Sequence, residues 1–351
     1  MQGFAPPIKT GYNNTIPGSY ATTTRADFRY SRFPVPAIKD SNMSTILLTH
    51  EDCVNHEPGP MHPESPERLK SVLAVLEGVD FSNLDRRPAP MGSVDQIARI
   101  HPRDHAEAVI AAMPSEGRQA FDPDTIASPG TRDAVLRAVG AACAAVDAVL
   151  LGDATNAFCA TRPPGHHAER TKPMGFCLFN SIAIGAAHAR QAHGCDRVAV
   201  IDFDVHHGNG TQSIFWDDAN LFYASTHQYP YYPGTGGASE RGETDNIVNA
   251  PLAAMSGSAE FREAVITTIL PALRQFQPDL IMISAGFDAH NDDPLASLRL
   301  TDDDYRWVTT ALMDVATEVC DGRIVSVLEG GYDLAALGRC AGIHVQTLLS
   351  N

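Results

Sequence analysis

An α/β fold with a mostly parallel central sheet and helices on both faces is what this chain predicts, and three observations carry the prediction. Short apolar runs of strand length alternate with longer segments of helical period from residue 43 onward. Polar clusters rich in His, Asp and Glu follow directly after several of those runs, where open parallel sheets bind their ligands. With 351 residues, 44% of them hydrophobic and 19% charged, the chain also carries enough apolar side chain for one large core.

Residues 1–42 stand apart, being rich in Pro, Thr, Tyr, Asn and Ser with no apolar period, so an irregular N-terminal arm is expected there and a single domain over 43–351. Ile46 to Thr49 opens that domain as a strand. Ser65 ahead of Pro66 marks a helix start, because proline fits the first helical turn, and the helix is predicted over Pro66 to Leu76. A long helix, Thr131 to Leu151, leads into the strand Ala157 to Thr161. The helix Ile182 to Gln191 precedes two strands, Val198 to Phe203 and Leu221 to Ser225. Helix Ala259 to Phe276, strand Leu280 to Ser284, helix Asp302 to Val319 and strand Ile324 to Leu328 complete the alternation.

The formal charge is −16, from 26 basic and 42 acidic residues, which argues against a nucleic-acid-binding surface and suits a partner or substrate that is itself cationic. Seven widely spaced cysteines with no C-x-x-C pair suggest neither a disulfide framework nor a cysteine metal knuckle, so a reducing, cytoplasmic compartment is expected. No run approaches the roughly 20 apolar residues that span a bilayer, and no secretory h-region opens the chain. No membrane association is expected, and assembly into a homo-oligomer stays open.

The densest chemistry follows Val198-Ala199-Val200-Ile201, where Asp202-Phe203-Asp204-Val205-His206-His207-Gly208-Asn209-Gly210 places two carboxylates and two imidazoles within six residues. Alternate residues of an extended chain point the same way, and carboxylate beside neutral imidazole suits zinc or another divalent transition metal. Three more strand ends carry Arg162-Pro163-Pro164-Gly165-His166-His167, Ala285-Gly286-Phe287-Asp288 and Glu329-Gly330-Gly331-Tyr332. Singly, each has a plain reading: Asp-x-Asp is commonly a solvated turn, a His pair a surface feature, a tyrosine a packing residue. Together they meet the needs of metal-assisted hydrolysis. Asp204, His206 and Asp288 would hold the metal, His167 or His166 would take a proton, and Tyr332 would donate to the developing oxyanion. The scattered His50, His56, His62, His101 and His105 lack strand-end context and read as structural or rim residues.

These four segments, in this order, resemble the zinc-dependent histone deacetylases and the bacterial histone-deacetylase-like and acetylpolyamine amidohydrolases, over roughly residues 45–345. The resemblance implies a single-domain arginase/deacetylase-like fold with one zinc on Asp204, His206 and Asp288. It casts His166 and His167 as the catalytic pair, His166 oriented by Asp202, and Tyr332 as the carbonyl-polarising group. Gly175-Phe176 and Tyr232 would wall a tunnel for an acetylated lysine or a similar alkylamine. Asp124 would grip substrate amides at the rim, and Arg68 would line an internal acetate-release region. A first potassium site is implied at Asp202, the carbonyls of Asp204 and His206, and Ser225 with Thr226; a second at carbonyls near Phe215, Asp218 and Leu221.

Asn209 stands where class I members carry aspartate, the class II habit. Leu295 stands where polyamine-selective relatives carry a glutamate, which favours acyl-lysine over acetylpolyamine. Two other readings are an arginase-like ureohydrolase, which would need more aspartates for two manganese ions, and a silent acyl-lysine binder, which would normally have lost a ligand, a histidine or Tyr332.

Overall fold

A computed structural model describes residues 44–350; the expected arm at 1–42 lies outside the described residues. In chain order the elements are β1 (Thr45–Thr49), α1 (Pro66–Leu76), β2 (Asp85–Pro88), α2 (Val94–Ile97), α3 (Arg103–Ala111), β3 (Gln119–Ala120), β4 (Ile126–Ala127), α4 (Thr131–Leu150), β5 (Asn156–Cys159), α5 (Ser181–His193) and β6 (Val198–Asp202). There follow α6 (Asn209–Phe215), β7 (Leu221–Gln228), β8 (Ile247–Leu252), α7 (Ser258–Ala264), α8 (Leu270–Phe276), β9 (Leu280–Ala285), α9 (Asp302–Cys320), β10 (Ile324–Leu328) and α10 (Leu334–Leu349).

Eight strands form one sheet in the order β2-β1-β5-β10-β9-β6-β7-β8, with every pairing parallel. Successive strand residues feed opposite faces. In β6, Ala199 and Ile201 join one apolar cluster with Leu69 of α1, Leu312 of α9 and Val345 of α10. Val198 and Val200 join the other, with Val139 of α4 and Ile182 of α5. Both faces are therefore covered by helices, as the continuous apolar runs demand.

The two edge strands escaped the sequence reading for different reasons. β2 is Asp-Arg-Arg-Pro, a short charged edge with no apolar run to announce it. β8 carries Pro251, which a sheet tolerates at an edge because no neighbour needs its missing N–H. The segment expected as one helix over Ala259 to Phe276 is α7 and α8 joined by a wider π turn, Val265–Ile269. Pro271 cannot donate back to Thr267, and the helix loosens there. α10 was likewise not anticipated; Asp333 caps it by accepting a hydrogen bond from the Ala336 amide.

The sheet order does the decisive work for the site. β5, β10, β9 and β6, the strands that precede the four polar segments, are consecutive neighbours. Their carboxyl ends form one continuous stretch of rim.

Candidate active site

Asp204, His206 and Asp288 converge with their ligand atoms all within 4.8 Å of one another. His206 Nδ1 lies 3.1 Å from both Asp204 Oδ1 and Asp288 Oδ2. Backbone donors fix the carboxylates: Gly330 N–H donates to Asp204 Oδ2 at 2.8 Å, and Val205 N–H to Asp288 Oδ1 at 2.8 Å. Glycine is needed where the chain passes this close. A Cβ on Gly286 would stand 2.0 Å from Asp204 Oδ2, and one on Gly330 would stand 2.2 Å from Asp288 Oδ2.

Charge explains what the cluster is fit to hold. Burial and the neighbouring Asp204 push Asp288 up to about 7. Burial opposes ionisation of Asp204 as well, but His166 and His206 outweigh it and hold this carboxyl below its usual range. Burial likewise disfavours a charged His206, yet its two carboxylate partners lift its pKa well above the ordinary value. A buried imidazole whose proton is shared by two acids can exchange that proton for a divalent cation, and one nitrogen with two carboxylate groups is a suitable donor set.

The histidine pair lies beside this cluster, with ring centroids 4.0 Å apart. His166 Nδ1 is 3.0 Å from Asp202 Oδ2, which also accepts from the Tyr223 hydroxyl at 3.0 Å. Burial disfavours a charged His166, but Asp204, Asp202 and Glu329 together raise it to about 10. A cation on Asp204 would cancel part of that field. His167 is depressed well below its ordinary value by burial and by the neighbouring His166 and His206. Its Nδ1 lies 2.8 Å from Asn209 Oδ1. Adjacent groups pushed in opposite directions divide acid from base.

Tyr332 is set by its main chain. Asp293 Oδ2 accepts from the amides of Tyr332 at 2.6 Å and Asp333 at 3.2 Å, and the Arg68 guanidinium covers the Tyr332 ring at 4.8 Å. Arg68 also donates to the carbonyls of Glu329 and Gly331, so it braces the loop carrying Tyr332. Phe176, with a left-handed φ of 69°, meets Tyr332 edge-on at 5.9 Å, while Tyr232 meets His167 edge-on at 5.1 Å. A Cβ on Gly175 would stand 2.5 Å from the His167 ring. Leu295 lies on the same loop as Asp293, its carbonyl taking the Tyr231 hydroxyl.

Asp124 reaches the same region through its neighbour, since Thr125 Oγ1 accepts from the Phe176 amide at 3.0 Å. Burial and the adjacent Asp122 raise Asp124 to about 6. His62 accompanies it, 2.9 Å from the Asp124 carbonyl and edge-on to Phe176 at 4.8 Å. His207 is fully engaged by Thr235 and Gln212.

The two expected cation places differ. At the first, Ser225 pairs in register with Asp202, and among the described residues no protein donor reaches the carbonyl oxygens of Asp204 or His206. Those free acceptors beside a buried carboxylate fit a monovalent cation. At the second, the expectation fails. The Asn246 side-chain Nδ2 lies 2.8 Å from the Phe215 carbonyl, 3.2 Å from that of Asp218 and 2.7 Å from that of Leu221. An amide stands where the ion was expected.

Three supporting residues carried no role in the sequence reading. Glu329 accepts from the amides of Gly165 and His166 and from Ser284 Oγ, tying three strand ends together. Asp293 clamps the Tyr332 loop, and Glu169 backs Asn209 at 2.8 Å. Only Glu329 had a signal, its place in a strand-end motif.

The sequence matches the family described as "Histone deacetylase domain" over residues 62–348. An uncharacterized protein of Synechocystis sp. is 41% identical over 86% of this chain and 99% of its own length. The histone deacetylase-like amidohydrolase of Pseudomonas aeruginosa is 40% identical over 82% and 77% of the two chains, and a probable deacetylase of Archaeoglobus fulgidus 38% over 83% and 82%. In structure, the crystal structure of the HDA15 HD domain superposes with a TM-score of 0.84 at 33% identity, covering 89% of each chain. Among the described residues no helix is long and apolar enough to cross a membrane. With that family match, a parallel sheet of the arginase/deacetylase type and a metal-competent rim, the chain belongs to the histone deacetylase family of hydrolases.

Proposed function

We propose that this protein is a zinc-dependent amidohydrolase that removes acetyl groups from the ε-amine of lysine or a similar alkylamine. One observation supports the reading above the others: the Asp204-His206-Asp288 cluster, the His166-His167 pair and Tyr332 occupy one rim, each held by its own buried partners. When bound at that cluster, zinc supplies Lewis acidity toward the acyl carbonyl and the attacking water. His167, neutral and with Nδ1 engaged by Asn209, takes the water proton at Nε2. Tyr332 donates its hydroxyl proton in a hydrogen bond to the oxyanion, and a protonated histidine of the pair passes a proton to the leaving nitrogen. Phe176 and Tyr232 line the approach, a slot suited to four methylenes. Potassium beside Asp202 would add positive charge behind His166.

The test is turnover of acetyl-lysine peptides, longer acyl-lysines, acetylputrescine and acetylspermidine, with and without a zinc-chelating hydroxamate. Acetyl-lysine peptides should be the better substrates, and hydroxamate should abolish turnover. Tyr332→Phe should keep its affinity for hydroxamate and lose turnover by on the order of 10² to 10³. Full activity in that variant would remove Tyr332 from the mechanism, and a preference for the acetylpolyamines would move the enzyme to the other substrate class.

A further inference from the structure

We infer that Glu169 is a positioning residue that sets the tautomer of His167 through the Asn209 amide; the inference rests on His167 being the base of the proposed reaction. Asn209 has two ends of nearly equal shape, and only its partners decide which faces the histidine. On one side Asn209 lies 2.8 Å from His167 Nδ1, on the other 2.8 Å from Glu169 Oε1. An ionised carboxylate only accepts hydrogen bonds. The end facing Glu169 must be the NH2 group, so the oxygen faces His167, whose Nδ1 must then carry the proton. Nε2 is left with a free lone pair, and among the described residues no protein group hydrogen-bonds it.

Without the carboxylate, the amide could turn over and offer Nδ2–H to Nδ1. The histidine proton would move to Nε2, and the base would be lost. Two weaker acceptors favour the native orientation: the His167 carbonyl, at 3.4 Å from Nδ2 and beyond a strong N–H···O distance, and Met174 Sδ, also at 3.4 Å and a weak acceptor by its chemistry. Glu169 is thus the strong determinant.

The surrounding backbone is built to present it. Main-chain bonds between Glu169 and Lys172 close a tight turn, with Glu169 N–H donating at 3.0 Å. Arg170 ties the turn to the carbonyls of Ile100 and Ile214, and His101 Nδ1 meets the Arg170 carbonyl at 3.1 Å. Gly210 lets α6 approach from the other side, since a Cβ there would stand 2.3 Å from the Ala168 carbonyl. Asn209, the residue before it, therefore reaches both the base and the turn.

The test is a double-mutant cycle on the full-length, metal-loaded enzyme. Glu169→Ala should lower kcat by about 10- to 100-fold, as loss of an orienting partner does. KM, bound metal and Tm should stay near wild type, and Glu169→Lys should lose more because it invites the reversed amide. In an Asn209→Asp background, a carboxylate faces His167 in either orientation, so Glu169→Ala should there cost less than about threefold, a threshold of roughly 0.65 kcal/mol. If Glu169→Ala does not fold, Glu169→Gln replaces it, with a smaller loss of the same sign. Equal losses in both backgrounds, or wild-type kcat in Glu169→Ala, would overturn the inference. A wild-type enzyme inert on every acylated substrate would instead defeat the proposed function.

Discussion

Two clusters in this molecule look alike on a list of residues. Asp204, His206 and Asp288 lie at the rim of the sheet, and Asp147, His188 and His193 lie between α4 and α5; in each, the ligand atoms fall within 4.8 Å of one another. Their surroundings separate them. At the rim, backbone amides occupy one side of each carboxylate and leave the inward lone pairs and His206 Nδ1 to a common centre. Between the helices, His188 Nδ1 is approached by the Arg99 guanidinium, which can only donate. His188 must therefore accept at Nδ1 and carry its proton on Nε2, donating it to Asp147 at 2.5 Å. The second cluster has spent the electrons that a metal would need. What fills the remaining valences, and not proximity, distinguishes a metal site from an ion-pair cluster.

The strongest way to break this comparison is to remove a ligand at the rim. Asp288→Ala should reduce bound metal far below one equivalent and bring deacetylation to background, with the metal read by elemental analysis. Stoichiometric metal in that variant would place the ion elsewhere, with the cluster between α4 and α5 the first alternative.

Why one cluster announced itself and its supports did not follows from sequence distance. Asp202, Asp204 and His206 are local, within five residues at the end of β6, although the strand stops at Asp202 and a bend, not strand alternation, carries Asp204 and His206; the motifs ending in His167, Asp288 and Tyr332 are each legible at a strand end. Their supports are brought in by strand order. Glu329 meets Gly165 across 164 residues because β10 lies beside β5, and Asp293 meets Tyr332 across 39. Nothing in the periodicity of either segment specifies that adjacency. The edge strands were hidden for a related reason, since edges need no continuous apolar run, and β2 and β8 lack one. Asn246 lies at the extreme of this: one side chain just ahead of β8 fills a place defined by three main-chain carbonyls, and only the assembled fold shows them meeting.

The same question of spent valences sharpens the contrast between the two cation places along β7. Asn246→Asp would set a carboxylate against the carbonyls of Phe215, Asp218 and Leu221, where no proton remains to mediate. The variant should lose about 1 to 3 kcal/mol of stability in buffer free of potassium, by analogy with other unsatisfied buried groups. Added potassium should restore much of that loss, because an ion binding only the folded state stabilises it by mass action. Thermal melts across a potassium titration should therefore be steeper for the variant than for wild type. Equal slopes would mean that an ion already occupies this place beside Asn246.

The smallest expected effect falls on the cluster between the helices. His193 donates to the same Asp147 oxygen at 2.6 Å, from a partly exposed position. Partly exposed ion pairs contribute about 0.2 to 1 kcal/mol, so His193→Ala should lower stability by no more than that. Bound metal and kcat should remain at wild-type values, because Asp147 and His188 continue to satisfy each other and Arg99 still occupies Nδ1. The informative failure is quantitative: a second equivalent of metal in the wild-type protein that disappears in His193→Ala would show that the ion displaces the Nε2 proton despite Arg99. Proximity would then have outweighed the hydrogen-bonding argument, and the rim cluster would no longer be distinguished by its surroundings.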